Sequence, residues 1–208
     1  MIERTGRGRF TVGPGVAFNP PITPSLKRLS AKIKTTFPYI TYCVWETDMV
    51  RSFQQHLPGA KFILIDVEKD STQAVFDYLH DRSDHVWLKP DNKTMDRYIL
   101  SGNIGPRREN LVVRQLITEA PIQTCFAVPT VTLEKMLADL FADGEFGYLQ
   151  GQELLVVFQN AWDRYSINTS KLLRYAARKG QRQEIQEFLE TNNFAKKNLT
   201  RRDLEEHP

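Results

Sequence analysis

Alternating strand-like and helix-like segments between residues 39 and 88 constrain the fold more than any other feature. The segments 39–45 and 61–68 are rich in β-branched and aromatic residues, and residues 85–88 repeat the pattern. The first half of 61–68 is apolar on both faces, as in a strand inside a sheet that is covered on both sides. Short strand–helix–strand connections favour right-handed crossovers between parallel strands. The sequence therefore predicts an α/β fold, with a parallel-core sheet and flanking helices.

The second half of the chain changes from strands to helices. Two further strands are predicted over residues 111–117 and 122–128. From residue 130 onward, apolar residues recur at helical spacing. The predicted helices cover residues 131–143, 152–165, 168–180 and 183–189. We therefore expect a helical C-terminal part.

The first twelve residues predict a small hairpin. They read as a short strand, the glycine turn Gly6-Arg7-Gly8-Arg9 and a return strand. A hairpin of this size normally leans on a helical body, and bacterial winged-helix DNA-binding domains commonly end in such a piece. We expect a residual winged-helix hairpin whose Arg4, Arg7 and Arg9 contact the DNA phosphate backbone. A basic N-terminus that pairs onto the main sheet is the alternative.

Proline and glycine between residues 13 and 24 indicate a linker, and an amphipathic helix with a basic outer face follows it. These features predict four regions along the chain. They are a winged-helix remnant (1–13), a linker with the basic helix (14–36), an α/β domain (37–195) and a flexible tail (196–208).

The net charge of +3 hides an uneven distribution. Residues 1–36 carry +6 and residues 164–208 carry +4, whereas the segment between them carries −7. Basic ends suit a polyanion or an acidic partner surface, and the acidic centre argues against nucleic acid lying across the whole molecule. Solvated faces without a partner are the alternative interpretation. The candidate partner-binding residues are Lys171, Arg174, Arg178 and Lys179, on the basic side of the helix predicted over 168–180.

A nuclease is the alternative that the carboxylates suggest. Asp66 and Glu68 end a predicted strand beside Lys69, and Glu46 ends the preceding strand. Restriction-endonuclease-like enzymes place carboxylates and a lysine at such an edge to hold Mg²⁺ and to position water. That motif requires an acid, one residue and then a lysine on a single face, whereas here Glu68 occupies the lysine position. A plain nucleic-acid-binding module that uses the basic ends is the third possibility.

No nucleophile motif or phosphate-binding loop occurs in the sequence, so we expect neither an enzyme nor a cofactor or metal. Cys43 and Cys125 lie in separate apolar segments and are expected to be reduced. No apolar run approaches the roughly 20 residues that span a bilayer. A cytoplasmic protein without membrane contact is therefore expected.

Several segments resemble the AbiEi-type antitoxins of type IV toxin–antitoxin (abortive infection) systems, and in particular a related uncharacterised subgroup. The most specific matching segments run from Pro129 to Phe141 and from Leu172 to Ala176. The matching segments are 42–47, 56–59, 66–69, 74–79, 129–141 and 168–178.

This resemblance implies a two-part regulator. An N-terminal winged helix-turn-helix would repress its own operon, and an α/β domain would counteract a nucleotidyltransferase-like toxin encoded nearby. Such a protein is not an enzyme, and the family provides no catalytic residue to transfer. Because only the wing is recognisable here, operator binding through a missing N-terminal domain is the doubtful part of the expectation.

Overall fold

A computed structural model describes residues 2–4, 10–12, 16–54, 61–101 and 109–194. The N-terminal hairpin is present: strand β1 (Ile2–Arg4) pairs antiparallel with β2 (Phe10–Val12), with Ile2 opposite Val12. Its assignment to a winged helix stays a prediction. The predicted tail, 196–208, lies outside the described residues.

Four strands form the central sheet, and its core is parallel as expected. They are β3 (Tyr42–Glu46), β4 (Phe62–Val67), β5 (Val86–Leu88) and β6 (Asn110–Gln115). Their order is β3-β4-β6-β5, and β6 is parallel to both of its neighbours. All six residues of β4 are buried, which confirms the prediction of a strand covered on both faces.

Strand β3 corrects the expectation of crossovers throughout, because it runs antiparallel to β4. Where a helix was predicted after β3, the chain forms two 3₁₀ turns, Thr47–Met49 and Arg51–Phe53, and residues 55–60 lie outside the described ranges. A parallel connection needs an element that carries the chain back along the sheet, and two three-residue turns do not provide one.

Helices cover the sheet before and between its strands. Helix α1 (Pro24–Thr36) is capped at its N-terminus by Thr23, whose hydroxyl oxygen accepts a hydrogen bond from the backbone N–H of Leu26 at 3.2 Å. Its apolar side belongs to the same core as the sheet, although the sequence had grouped this helix with the linker. Helix α2 (Thr72–His80) precedes β5, and α3 (Asn92–Thr94) continues as a π-helical turn over Met95–Leu100.

The strand predicted over residues 122–128 is instead a hairpin of β7 (Ile122–Cys125) and β8 (Val128–Val131). Its two-residue turn places Phe126 at φ +50° and Ala127 at φ +63°. This left-handed geometry usually calls for glycine or asparagine, so the sequence offers no turn signal here.

The C-terminal part is helical, as predicted. It contains α4 (Leu133–Ala142), α5 (Gln152–Arg164), α6 (Thr169–Arg178) and α7 (Arg182–Thr191). Eight consecutive residues of α4 are buried, among them the charged residues Glu134, Lys135 and Asp139. Buried charged side chains require partners of opposite charge or hydrogen bonds. No helix in the described ranges is both long and apolar enough to cross a membrane.

Candidate functional site

Seven charged side chains meet where the sheet packs against α4 and α6, and we call them the central charge cluster. Strand β4 contributes Asp66 and β6 contributes Arg114, each near the C-terminal end of its strand. Helix α4 and the residues after it contribute Lys135, Asp139, Asp143 and Glu145, and Lys179 follows the last residue of α6.

Asp139 is the most heavily bonded member of the cluster and is fully buried. One carboxylate oxygen lies 2.6 Å from Lys135 Nζ and 2.8 Å from Arg114 Nη2. The other oxygen accepts a hydrogen bond from the Tyr175 hydroxyl at 2.9 Å and lies 3.0 Å from Lys179 Nζ. Three cations and one hydroxyl therefore share a single carboxylate.

Asp66 forms the second anionic centre. Arg114 Nε donates to one of its oxygens, and Lys135 Nζ lies 2.6 Å from the other. The indole N–H of Trp45 points at the same oxygen at 3.4 Å. Lys135 thus bridges Asp66 and Asp139, which ties β4 to α4.

The outer edge of the cluster is partly open to solvent. Asp143 Oδ2 lies 2.8 Å from Arg114 Nη1, and Asp143 Oδ1 lies 2.5 Å from Lys179 Nζ. Glu145 is 3.7 Å from Arg114. The side chains of Asp143 and Glu145 are 17% and 15% exposed, so this edge is the part of the cluster that solvent reaches.

Attraction outweighs desolvation at the centre of the cluster. Burial alone would raise the pKa of Asp139, but Lys135 and Arg114 hold it well below its usual value. Burial would likewise raise the pKa of Asp66, but Arg114 and then Lys135 outweigh it and lower that pKa. Burial would lower the pKa of Lys135, yet Asp139 and Asp66 raise it well above the ordinary value. The inner members are therefore ionised together.

Asp143 behaves differently at the edge. Its burial is the largest effect and raises the pKa of its carboxyl, although Arg114 opposes the shift. The cluster carries four acids and three bases in total. The cations and anions of the cluster pair with one another, and these pairs join β4, β6, α4 and the end of α6. Each member therefore relies on the others to compensate for the desolvation of its charge.

The structure separates the residues proposed for a nuclease. Asp66 belongs to the central charge cluster, whereas Glu68 accepts hydrogen bonds from the backbone N–H of Thr41 at 3.0 Å and from Ser71 at 3.1 Å. Lys69 is exposed in the 3₁₀ turn Lys69–Ser71.

Glu46 lies toward the opposite end of the sheet, because it pairs in register with Ile63 whereas Asp66 pairs with Cys43. There Glu46 is buried and its carboxylate lies 3.2 Å from Lys61 Nζ. Within the described ranges, no group of three or more His, Cys, Asp or Glu side chains could hold a metal ion.

The basic residues predicted on α6 divide into two sets. Lys171, Arg174 and Arg178 lie on one side of the helix, at i, i+3 and i+7. Arg174 and Arg178 are exposed, and Arg178 pairs with Glu119. Lys171 lies 3.5 Å from the largely buried Glu134 of α4.

Lys179 corrects the prediction of a partner-binding residue, because its side chain is only 9% exposed and belongs to the central charge cluster. It follows the buried Tyr175 by four residues and so shares the inner side of the helix. That spacing was the signal in the sequence that could have placed it inside.

The arginines proposed to contact DNA cannot be placed as a site. Arg7 and Arg9 lie outside the described residues, and only the backbone of Arg4 is described, in β1. Their role stays a prediction.

Sequence reasoning missed most of the central charge cluster. Arg114 follows the apolar run Leu111-Val112-Val113 within its strand, and Lys135 and Asp139 lie four residues apart on a helix with few other polar positions. An opposite-charge pair at i and i+4 on an apolar helix is a signal for a buried ion pair, although it does not identify the partners on other elements.

The chain is a mixed α/β protein whose sheet is tied to its C-terminal helices by buried ion pairs. The chain belongs to DUF6577, a family of unknown function, and the family model matches residues 1–195. Neither a curated protein nor a solved structure matches it at a significant level.

Proposed function

We propose that this chain is a non-enzymatic, antitoxin-like regulator that counteracts a nucleotidyltransferase-like toxin of a type IV toxin–antitoxin (abortive infection) system. The resemblance of residues 129–141 and 168–178 to AbiEi-type antitoxins suggests this role. The observation that carries it is the basic row on one side of α6, formed by the half-buried Lys171 and the exposed Arg174 and Arg178. We call these three residues the α6 row.

The α6 row is suited to an acidic protein surface. Lys171 and Arg178 are held by Glu134 and Glu119, which fixes where their charges lie. Arg174, between them, is exposed and forms no hydrogen bond or salt bridge within the described residues. Arg178 chiefly lowers the pKa of the Glu119 carboxyl, and Arg174 is close enough to help lower it, but Arg174 forms no direct pair with Glu119. A row of basic side chains of this kind favours rapid, oriented association with an acidic partner.

The central charge cluster supports binding rather than catalysis. Asp66, Lys135 and Asp139 are the residue types that perform acid–base chemistry, but each is engaged by opposite charges at 2.6–2.8 Å. Operator binding stays a further prediction, because a hairpin contacts the phosphate backbone whereas a recognition helix reads the bases.

The test is coexpression with a nucleotidyltransferase-type gene from the same locus, with bacterial growth as the readout. The chain should restore growth, and Arg174→Glu should weaken the rescue because it reverses the free charge of the α6 row. Lys34→Glu is the matched control, since Lys34 is an exposed base on a different helix, α1, and is not part of the α6 row.

Toxin affinity separates this contact from a folding defect. With purified toxin, Arg174→Glu should raise Kd at least about tenfold while the urea midpoint stays unchanged. Toxicity that is unchanged by the wild-type chain would remove the antitoxin assignment. Equal loss of rescue in Arg174→Glu and Lys34→Glu would remove the α6 row as the contact.

A further inference from the structure

A cleft of about 470 Å³ lies at the other end of the strands that carry the central charge cluster. Its walls come from α1, from the connection between α2 and β5, and from the first residues of β4 and β6. Ile63 and Leu111 line the cleft, whereas Asp66 and Arg114 stand three residues further along the same strands. The cleft is therefore separate from the cluster.

Unpaired positive charge lines one wall of this cleft. Arg28 and Lys32 stand one turn apart on α1, and both are exposed. Neither forms a hydrogen bond or a salt bridge within the part of the chain that the structure describes. Two adjacent cations with no acid partner among the described residues attract an anion.

A third cation comes from the facing wall, where Arg82 follows α2. Its guanidinium lies 4.0 Å from the centre of the Tyr78 ring and donates to the Tyr78 carbonyl oxygen at 2.6 Å. These contacts hold the guanidinium plane in place, and an arginine held in this way offers a fork to phosphate oxygens.

The acids of the cleft cancel only part of this charge. Glu109 accepts a hydrogen bond from Ser25 and lies 3.8 Å from Lys61, but Lys61 also lies 3.2 Å from Glu46 and from Asp48, so the charge of Glu109 is not neutralised. Asp84 is the other acid among the described residues that line the cleft. Three basic side chains against two acids still leave a positive balance.

The remaining lining residues are apolar side chains, two serines and His85. Leu29, Leu79 and Leu111 are among the apolar residues, and Ser25 and Ser83 supply hydroxyls. The volume lies within the roughly 300–1,000 Å³ that is typical of small-molecule sites. It admits one nucleotide and is too small for a nucleic-acid duplex.

We propose that this cleft binds a free mononucleotide. The phosphate lies between Arg28, Lys32 and Arg82, and the base packs on the apolar residues at the start of β4 and β6. Ser83 and Asp84 are positioned to contact the sugar hydroxyls. This site does not depend on the antitoxin role proposed above.

Calorimetry on the full chain tests the site with AMP, GMP, CMP and UMP. At least one of them should bind with a Kd below about 1 mM. The matching nucleoside and inorganic phosphate should each bind at least about tenfold more weakly, because each occupies only part of the cleft.

The matched variants are Lys32→Gln and Lys34→Gln, which remove the same charge from the same helix. Lys32 lines the cleft and Lys34 does not. Lys32→Gln and Arg28→Gln should each weaken nucleotide binding about tenfold, whereas Lys34→Gln should leave it unchanged. Lys32 and Lys34 are both exposed, and equal urea midpoints will show that the fold is intact.

Four results would overturn the proposal. The first is no binding of any of the four nucleotides at about 1 mM. The second is an equal loss in Lys32→Gln and Lys34→Gln, which indicates diffuse attraction to α1. The third is phosphate binding as tight as nucleotide binding, which indicates an anion site without a base pocket. The fourth is binding of a single-stranded oligonucleotide without binding of any mononucleotide.

Discussion

Lys135→Met is the sharpest test of the central charge cluster. Methionine matches the unbranched apolar stem of lysine but lacks the ammonium group. Lys135 Nζ lies 2.6 Å from oxygens of both Asp66 and Asp139, so those two oxygens are at most about twice that distance apart. Without the ammonium group, two buried carboxylates face each other with Arg114 as their shared cation.

The magnitude follows from this geometry. Two like charges about 5 Å apart repel by roughly 3 kcal/mol at an effective dielectric constant of about 20. Removal of one partner from a buried ion pair typically costs about 3–5 kcal/mol. Lys135→Met should therefore lower the free energy of unfolding by about 3–5 kcal/mol, a large share of the ~5–15 kcal/mol that stabilises a domain.

Urea unfolding followed by tryptophan fluorescence measures the effect, because Trp45 lies beside the cluster with Lys135 6.0 Å from its ring. At a slope of about 2 kcal/mol per molar urea, the midpoint should fall by roughly 1.5–2.5 M. Glu119→Gln is the control. It removes an exposed partner of Arg178 and should leave the midpoint unchanged within error.

The double variant Lys135→Met/Asp139→Asn decides whether charge is the cause. It restores the original excess of one acid in the cluster, so it should be more stable than Lys135→Met alone. If the losses of unfolding free energy in Lys135→Met and in Asp139→Asn simply add in the double variant, the electrostatic reasoning is refuted. So would a loss below about 1 kcal/mol for Lys135→Met, because it would show that the ammonium group contributes little.

Three further outcomes follow from single features. The pKa values of Asp66 and Asp139 are lowered in the folded state, so the stabilisation that these carboxylates provide is present above the unfolded pKa near 3.9 and is lost as the pH falls through the folded values. The urea midpoint should therefore decrease when the pH is lowered below about 4. A midpoint that stays level from about pH 6 to pH 3 would contradict this. Burial raises the pKa of the Cys43 thiol and keeps thiol reagents from reaching it. A thiol reagent should therefore modify the half-buried Cys125 first, and Cys43 only after unfolding. Equal modification rates of the two cysteines in the native protein would refute the buried position of Cys43. Ala127→Gly should raise the free energy of unfolding by roughly 0.5–1 kcal/mol, because it relieves a left-handed residue at φ +63°, and thermal unfolding that is unchanged or lower would contradict the strain.

Features with a local period were predictable from the sequence. The doubly apolar segment of β4 predicts a strand inside the sheet, and α4, α5, α6 and α7 follow from helical spacing. Hydrophobic burial acts on whichever residues a regular backbone places on one face, so the period of the pattern predicts the element. These elements determine a mixed α/β fold before any contact is known.

The direction of strand β3, the hairpin at residues 122–131 and the burial of the charged side chains follow from how the elements pack and not from any local pattern. The antiparallel direction of β3 depends on how the chain returns after Glu46, and the turn at Phe126 forms without the residues that usually favour it. Asp66 and Lys135 are 69 positions apart and still in contact. No local pattern encodes a contact between such distant residues, because desolvation and Coulomb attraction act only once the elements have packed. The periodic segments of the sequence predict β4 and the C-terminal helices, whereas the packing of the elements brings the buried carboxylates Asp66 and Asp139 to Arg114 and Lys135.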